Sequence, residues 1–334
     1  MNAGLRVLRA GPGVTLQDAG RWGYLRYGVT PAGPMDAPAH EAANLAAGGA
    51  AGAVALEISV GGLDVVAEGA EIGVAIVSSG FRIALDGTAL SGDCIATIAA
   101  GHTMSIRAGA VGAWAYLAPF GRIDAQAELG SLSMHVRSGM GGGGIRAGDL
   151  IALAELRPGP SAPQKLAQFG AAREIPIRFV AGPQDDYFDA ANVARFLEGP
   201  WRISARSDRM AYALEGPRIA HAKGFNIVSD GVAFGAIQIP GDGLPLVQMA
   251  DRAPTGGYPK IGTVIAADLG RFAQMRPGAS LRFVEATVEQ AVSAWRAARA
   301  QMIGALATPH AGATPSSESL LTQNLVGGVV SARE

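Results

Sequence analysis

Between Leu5 and Leu156 short apolar runs alternate with breaks at glycine, Asp-Gly or proline: LRVLRAG, ALEISVGG, EIGVAIVSSG, FRIALDG, TMSIRAG, WAYLAPFG and DLIALAEL. In an extended chain successive side chains point to opposite faces, so period-2 runs bounded by turn residues predict antiparallel strands. Asp86-Gly87, between FRIAL and TAL, is a hairpin signal because both residues tolerate the positive φ of a tight turn. One stretch changes period. MDAPAHEAANLAAGG offers Asp36 as N-cap, Pro38 in the first turn, alanine-rich propensity and a Gly48-Gly49 stop, which together predict a helix.

Residues 157–172, RPGPSAPQKLAQFGAA, turn rich in Pro, Gly and Ala and lose the alternation, which predicts a linker. The same grammar then resumes: strand IPIRFVAG, a helix near residues 186–197, strand WRISARS, and strands through FNIVSDGVAFGAIQIPGDGLPLVQM. A second hairpin signal lies at Asp242-Gly243, followed by a short helix near residues 266–274 and strand SLRFVEA. The halves close alike, with IRAGDLIAL at Ile145 and MRPGASLRF at Met275. The expectation is a mainly β chain of two β-barrel-like subdomains, 1–156 and 173–286. A C-terminal helix over 287–306 follows, with Val292, Trp295, Ala298 and Met302 as the stripe packed on a barrel. The tail, 307–334, is rich in Ser, Thr, Ala and Gly and is expected to be flexible.

Composition narrows the class. A chain of 334 residues exceeds the size at which one core usually stops growing, which agrees with two subdomains. Net charge is −1, so no overall field gathers phosphate backbones or anionic lipid, and nucleic acid is excluded as a partner. No uncharged apolar run reaches about 18 residues, and no apolar leader core precedes Gly11-Pro12. With Cys94 as the only cysteine, the expectation is a cytoplasmic protein with no membrane contact. The 47 glycines, about twice the usual share of about 7%, fit many tight turns. Charged residues, at 16% against about 25%, leave surface for another chain to cover.

Several chemistries fail on geometry. GMGGGG at Gly139 contains G-x-G-x-x-G by letter, but IRAGD follows where a dinucleotide fold starts a helix. GGYPKIGT places Lys260 before the last glycine, where it cannot cap a phosphate cradle. The five histidines are scattered with no i, i+4 pair, so no metal site is expected. There is neither a G-x-S-x-G elbow nor an A-M-K-M-like sequence, so no covalent biotin is expected on this chain.

Four stretches keep polar residues in Gly/Pro-shaped loops beside apolar strands: residues 15–45, the ALEIS around Glu57, residues 204–216 and residues 229–263. Arg209, Arg252 and Lys260 are donors suited to an anionic or carbonyl oxygen, and Asp208, Asp230 and Asp251 can orient them or move a proton. One Asp-Arg pair alone is more readily a surface or turn salt bridge. Several such loops within one predicted subdomain point to a site.

LQDAGRWGY, GVTPAGPMD, the ALE at Glu57, SDRMAYALEGP, VSDGVAFGAIQIPGDGLP and ADRAPTGGYPKIGTVIAADL occur in this order over residues 5–284. They resemble the biotin-dependent carboxyltransferase-like family. Its members include the C-type subunit of 5-oxoprolinase, a sporulation-kinase-inhibitor antagonist, allophanate hydrolase subunit 2-type proteins and the carboxyltransferase half of urea amidolyase. The resemblance implies two cyclophilin-like β-barrel subdomains, a B-type barrel partner subunit and, in 5-oxoprolinase, a further A-type subunit. It implies ATP-dependent opening of the lactam 5-oxo-L-proline to L-glutamate, with ATP bound together with the partner subunits and this chain inactive alone. A lactam carbonyl is a poor electrophile, so the charge that grows on its oxygen needs fixed donors. Lys260 and Arg252 are the expected donors, and Asp208 and Arg209 are expected to position substrate or phosphate. Gly256 and Gly257 would let the backbone approach closely. Asp230, Asp251, Tyr258, Asp36 and Glu57 complete the expected substrate or nucleotide site.

Two other readings follow from the same resemblance: carboxyl transfer to urea or a similar amide using biotin carried by another protein, and a regulatory antagonist without chemistry. Two departures bear on all three. VSSGF at Val77 leaves Gly80 where the family pattern suggests an acidic residue, and GMGGGGIRAGD is shorter than the insert expected there.

Overall fold

The computed structural model describes residues 3–166 and 176–307. Strands form where the alternating runs lie. In the first half one sheet has the spatial order Arg122–Ile123, Leu150–Ala154, Gly4–Ala10, Leu63–Glu68, Thr103–Arg107, Arg82–Leu85, Thr88–Leu90. A second has the order Gln164–Lys165, Cys94–Ile98, Ile72–Ser78, Trp114–Pro119, Ala55–Ser59, Thr15–Gln17. In Leu63–Glu68 alternate residues are buried, as a sheet with one solvated face requires. In Ile72–Ser78 and Trp114–Pro119 every residue is buried. Ile72, Val74, Ile76, Ala115 and Leu117 enter the core of the first half. Ala75, Val77, Trp114, Tyr116 and Ala118 enter a second core, shared with Phe179, Trp201, Tyr212 and Phe272 of the second half. The period of two thus sends one strand's side chains into two cores.

The second half is built on an eight-stranded sheet: Ser280–Leu281, Trp201–Ile203, Ala211–Glu215, Leu246–Gln248, Ala236–Gln238, Lys260–Val264, Ile177–Ala181, Phe283–Glu285. Its first and last strands are separated in the chain by Arg282 alone, so the sheet has curled until its edges nearly meet. The expectation of a mainly β chain with a barrel sheet and a C-terminal helix holds. The helices are α1 (Ala37–Ala46), α2 (Ala190–Glu198), α3 (Ala266–Ala273) and α4 (Val288–Ala307). Asp36 caps α1, its side chain accepting from Ala39 N at 3.1 Å. Asp86 and Gly87 make their turn with φ of 48° and 78°.

Some boundaries differ from expectation. Gln164–Lys165 pairs with Ile95 and Cys94, so the predicted linker contributes a strand; its residues 167–172 lie outside the described residues, as do 308–334 of the tail. The helix expected near 186–197 is a 3₁₀ turn, Asp185–Tyr187, then α2, because the Asp189 side chain accepts from Asn192 N and restarts the helix. Asp242-Gly243 lies in a longer connection between Ala236–Gln238 and Leu246–Gln248, not in a two-residue hairpin. On α4, Met302 is buried but Val292 and Trp295 are 42% and 46% exposed, so the expected stripe faces the core at one end only.

Candidate functional site

The residues singled out from the sequence fall into two groups, back to back. The first is a buried bridge between the halves. Glu57 extends from Ala55–Ser59, where both faces are covered, and is fully buried. Its Oε2 accepts from Met35 N and from the Tyr116 hydroxyl, each at 2.7 Å. Its Oε1 accepts from Arg209 Nη1. Arg209 also donates Nη2 and Nε to the two Asp251 carboxylate oxygens, at 2.8 and 3.1 Å, and Nη2 to Gly33 O at 2.7 Å. The Asp251 carboxylate also accepts from Val136 N, at Oδ2, at 3.0 Å. Asp36 belongs here too: its N donates to Tyr116 Oη and its Oδ2 accepts from Gln274 Nε2, both at 2.8 Å.

Burial pushes the Glu57 and Asp36 carboxyls above the usual range, against the pull of Arg209 on Glu57 and of Gln274 on Asp36. For Arg209, burial disfavours the charge, but Glu57 and Asp251 outweigh it and the guanidinium is held charged. Two carboxylates and a carbonyl take four of the five N–H donors of this cation. Arg209 therefore fastens the halves together. Asp208 is exposed and accepts from Met210 N and Ala211 N at 2.8 and 3.1 Å, shaping the turn before Ala211–Glu215.

The second group lies on the other side of Asp251. A two-stranded ribbon, Asp230–Gly231 with Thr255–Gly256, runs over the end of the barrel sheet. Beneath it Lys260, Arg252, Gln238 and Gln248 are all buried. Lys260 Nζ donates to Asp230 Oδ2 at 2.7 Å, and Gln184 Nε2 donates to the same oxygen at 3.3 Å. The Lys260 hydrogen bond holds the exposed Asp230 carboxyl below its usual range. An ammonium has three donors, so two remain without a partner among the described residues. Arg252 donates Nε to Val232 O at 2.9 Å and Nη1 to Met249 O at 3.5 Å, and its guanidinium lies 5.7 Å from the Phe234 ring centroid. No carboxylate pairs with it among the described residues, and burial pulls its pKa down to about 10.

Gln238 Oε1 accepts from Gln248 Nε2 at 2.9 Å, while Gln238 Nε2 is buried without a partner among the described residues. A Cβ at Gly256 would stand 2.4 Å from that nitrogen and 3.1 Å from Val232 Cγ2, so glycine is what lets the ribbon lie so close. Gly257 accepts at its carbonyl from Ile227 N at 2.9 Å, and Tyr258 is 38% exposed at the rim. Two cations, one exposed carboxylate and an orphaned amide donor make a donor-rich site suited to an oxygen carrying or acquiring negative charge.

Gln184, Gln238 and Gln248 were not among the residues picked from the sequence. Isolated glutamines carry no spacing signal, and only the register Gln238↔Lys260 and the pairing of the flanking strands bring them together. A separate cleft of about 620 Å³, lined by Val111, Gln274, Arg276 and Leu281 among others, lies at the junction of the halves away from this cluster. Arg276 is engaged there with the carbonyls of Gly109, Val111 and Gly112. No group of three or more His, Cys, Asp or Glu side chains gathers to hold a metal among the described residues.

The barrel sheet, the two-part architecture and the donor-lined loops define a carboxyltransferase-type protein. The chain belongs to the carboxyltransferase domain family, subdomain A and B, whose model matches residues 27–285. It is similar to the C-type subunit of 5-oxoprolinase from Escherichia coli, 33% identical over 293 residues, with 87% of this chain and 94% of the relative covered. It is similar also to the C-type subunit of 5-oxoprolinase from Haemophilus influenzae, 30% identical over 287 residues, covering 83% and 89%. Among solved structures, the urea amidolyase of K. lactis superposes with a TM-score of 0.80 at 27% identity. The match covers 90% of this chain but only 20% of that one.

Proposed function

We propose that the chain is the C-type subunit of an ATP-dependent 5-oxoprolinase, opening a five-membered lactam together with A- and B-type subunits and inactive by itself. The observation that carries this reading is the pair of buried cations, Lys260 and Arg252, beside the unpartnered Gln238 amide. Relatives named as the C-type subunit of 5-oxoprolinase, matched over most of their length, support it. When bound with the partner subunits, ATP supplies activation of the lactam oxygen. This chain's residues then receive the charge on that oxygen. Lys260 offers it the two donors that Asp230 leaves unused, Asp230 anchors Lys260 Nζ while Gln184 holds Asp230, and the ribbon that carries Gly256 lies over the site. A fixed donor in a low-dielectric site stabilises a transition state far more than one in water does, because it needs no reorganisation.

The test is reconstitution with both partner types and measurement of 5-oxoproline-dependent ATP hydrolysis. Turnover is expected only with all three chains present. ATP hydrolysis that ignores 5-oxoproline would refute the substrate, and full turnover without this chain would refute its part in the reaction. The K. lactis likeness favours one second reading, carboxyl transfer to urea by way of biotin held on another protein. Urea-dependent consumption of a carboxylated biotin carrier, with none for 5-oxoproline, would select it.

A further inference from the structure

A helix that packs on a barrel normally turns its whole apolar arc inward. Helix α4 does not. Over its twenty residues Met302 is buried and Ala291, Ala294, Ala305 and Leu306 are half-buried, while Val288, Val292 and Trp295 stand 58%, 42% and 46% exposed. Spacings of four and three place these three on one stripe, flanking the inward face. Val284, 45% exposed on the edge strand Phe283–Glu285 just before α4, extends the patch. Arg299, four residues beyond Trp295 on the same stripe, is held by Glu41 of α1 at 2.9 Å, so the exposed patch ends there.

We propose that this face is a self-association surface, on which α4 of a second copy lies antiparallel, making a homodimer. The charges beside the stripe select this occupant. Glu289 and Arg296 are seven residues apart, two turns of helix, and so lie on the same flank. Across an antiparallel pair related by a two-fold axis, the same flanks of the two helices face each other. With the axis between Val292 and Trp295, each Val292 lies against the other copy's Trp295. Each Glu289 falls within one turn of the other copy's Arg296, giving two equivalent opposite-charge contacts. Arg296 makes no ion pair among the described residues, and a chain of net charge −1 does not repel its own copy strongly. A patch of one helix and one strand edge is smaller than the interfaces of permanent dimers, so association is concentration-dependent. The surface is distinct from the Lys260 cluster and does not depend on its chemistry.

The experiment is sedimentation equilibrium of the full chain over a wide concentration series, with variants whose thermal melts match the parent. The expected result is a mass rising from one chain to two, and single-chain mass throughout for Trp295→Ser and for Val292→Glu. Glu289→Arg and Arg296→Glu should each weaken association several-fold, and the double reversal should restore it, because only self-pairing brings these two residues together. Single-chain mass at every concentration overturns the proposal, as does a double reversal no tighter than the single ones. Dimerisation of a chain ending at Ala307, where the full chain stays single, also overturns it and assigns the face to the chain's own residues 308–334.

Discussion

Arg209 and Arg252 look alike in the sequence, each beside an aspartate in a Gly/Pro-shaped loop, and the fold gives them opposite work. Arg209 is enclosed by Glu57, Asp251 and the Gly33 carbonyl. Arg209→Met would strand two buried carboxylates, so a loss of about 3–5 kcal/mol in a urea melt is expected, with activity falling only as far as the chain unfolds. Arg252 is buried with two carbonyl acceptors and no carboxylate. In Arg252→Met the loss of those hydrogen bonds is offset by relief of an unpaired buried charge, so stability should change by no more than about 1 kcal/mol. The reconstituted activity should nevertheless drop. A large fall in stability with normal specific activity would make Arg252 structural. Sequence could mark both as donors, but which carboxylate each meets depends on strands distant in the chain.

At the scale of elements, what was legible was what the local chain determines. Asp36 capping α1 and the Asp86-Gly87 turn follow from a side chain reaching its own neighbours and from φ preferences. What was not legible was set by contacts across the chain: Gln164–Lys165 pairs with a strand some seventy residues earlier, which no window on 157–172 reveals. The site divides the same way. Lys260, Asp230 and Gly256 stood out because their loop is dense in turn residues and charge, while Gln238 and Gln248 became visible only in the barrel's register. At the start of α3, Asp268 ties the helix to Ile177–Ala181, accepting from Arg178 N, Nε and Nη2 at 2.8, 3.0 and 2.7 Å. Burial opposes its charge, but Arg178 and Arg271 outweigh this and hold the carboxyl below its ordinary 3.8. A carboxyl depressed in the folded chain stabilises fully above its unfolded value and loses that contribution as pH falls through the folded one. Asp268→Asn should therefore lower the melting temperature at neutral pH and flatten its fall below about pH 4. An acid limb unchanged from the parent would place that sensitivity elsewhere.

At the scale of the molecule, the two halves are one mechanical unit, because strands Ile72–Ser78 and Trp114–Pro119 feed both cores and Gln274 crosses the junction. Gln274 Oε1 accepts from Ala113 N and Trp114 N at 2.8 and 2.9 Å, and its Nε2 donates to Asp36 and Trp114 O at 2.8 and 3.1 Å. Gln274→Leu leaves these buried groups unsatisfied and should cost at least about 2 kcal/mol. A parental melting curve would show that water replaces the amide. Strand grammar indicated two barrel-like halves, but their joining could not be read from periodicity, since a strand buried on both faces shows only an apolar run. No described helix is long and apolar enough to cross a membrane. The seam holds Asp251 between Val136 of one half and Arg209 of the other, while Arg252 and Lys260 lie beneath the ribbon.

The role proposed for Lys260 is to supply charge to the reacting oxygen. Its most direct test is 5-oxoproline-dependent ATP hydrolysis by the reconstituted three-subunit assembly, comparing the parent chain with Lys260→Met at matched assembly and melting temperature. Turnover is expected to fall at least about 10²-fold, the scale of removing one transition-state donor. A Lys260→Met assembly that turns over at the parental rate would contradict it.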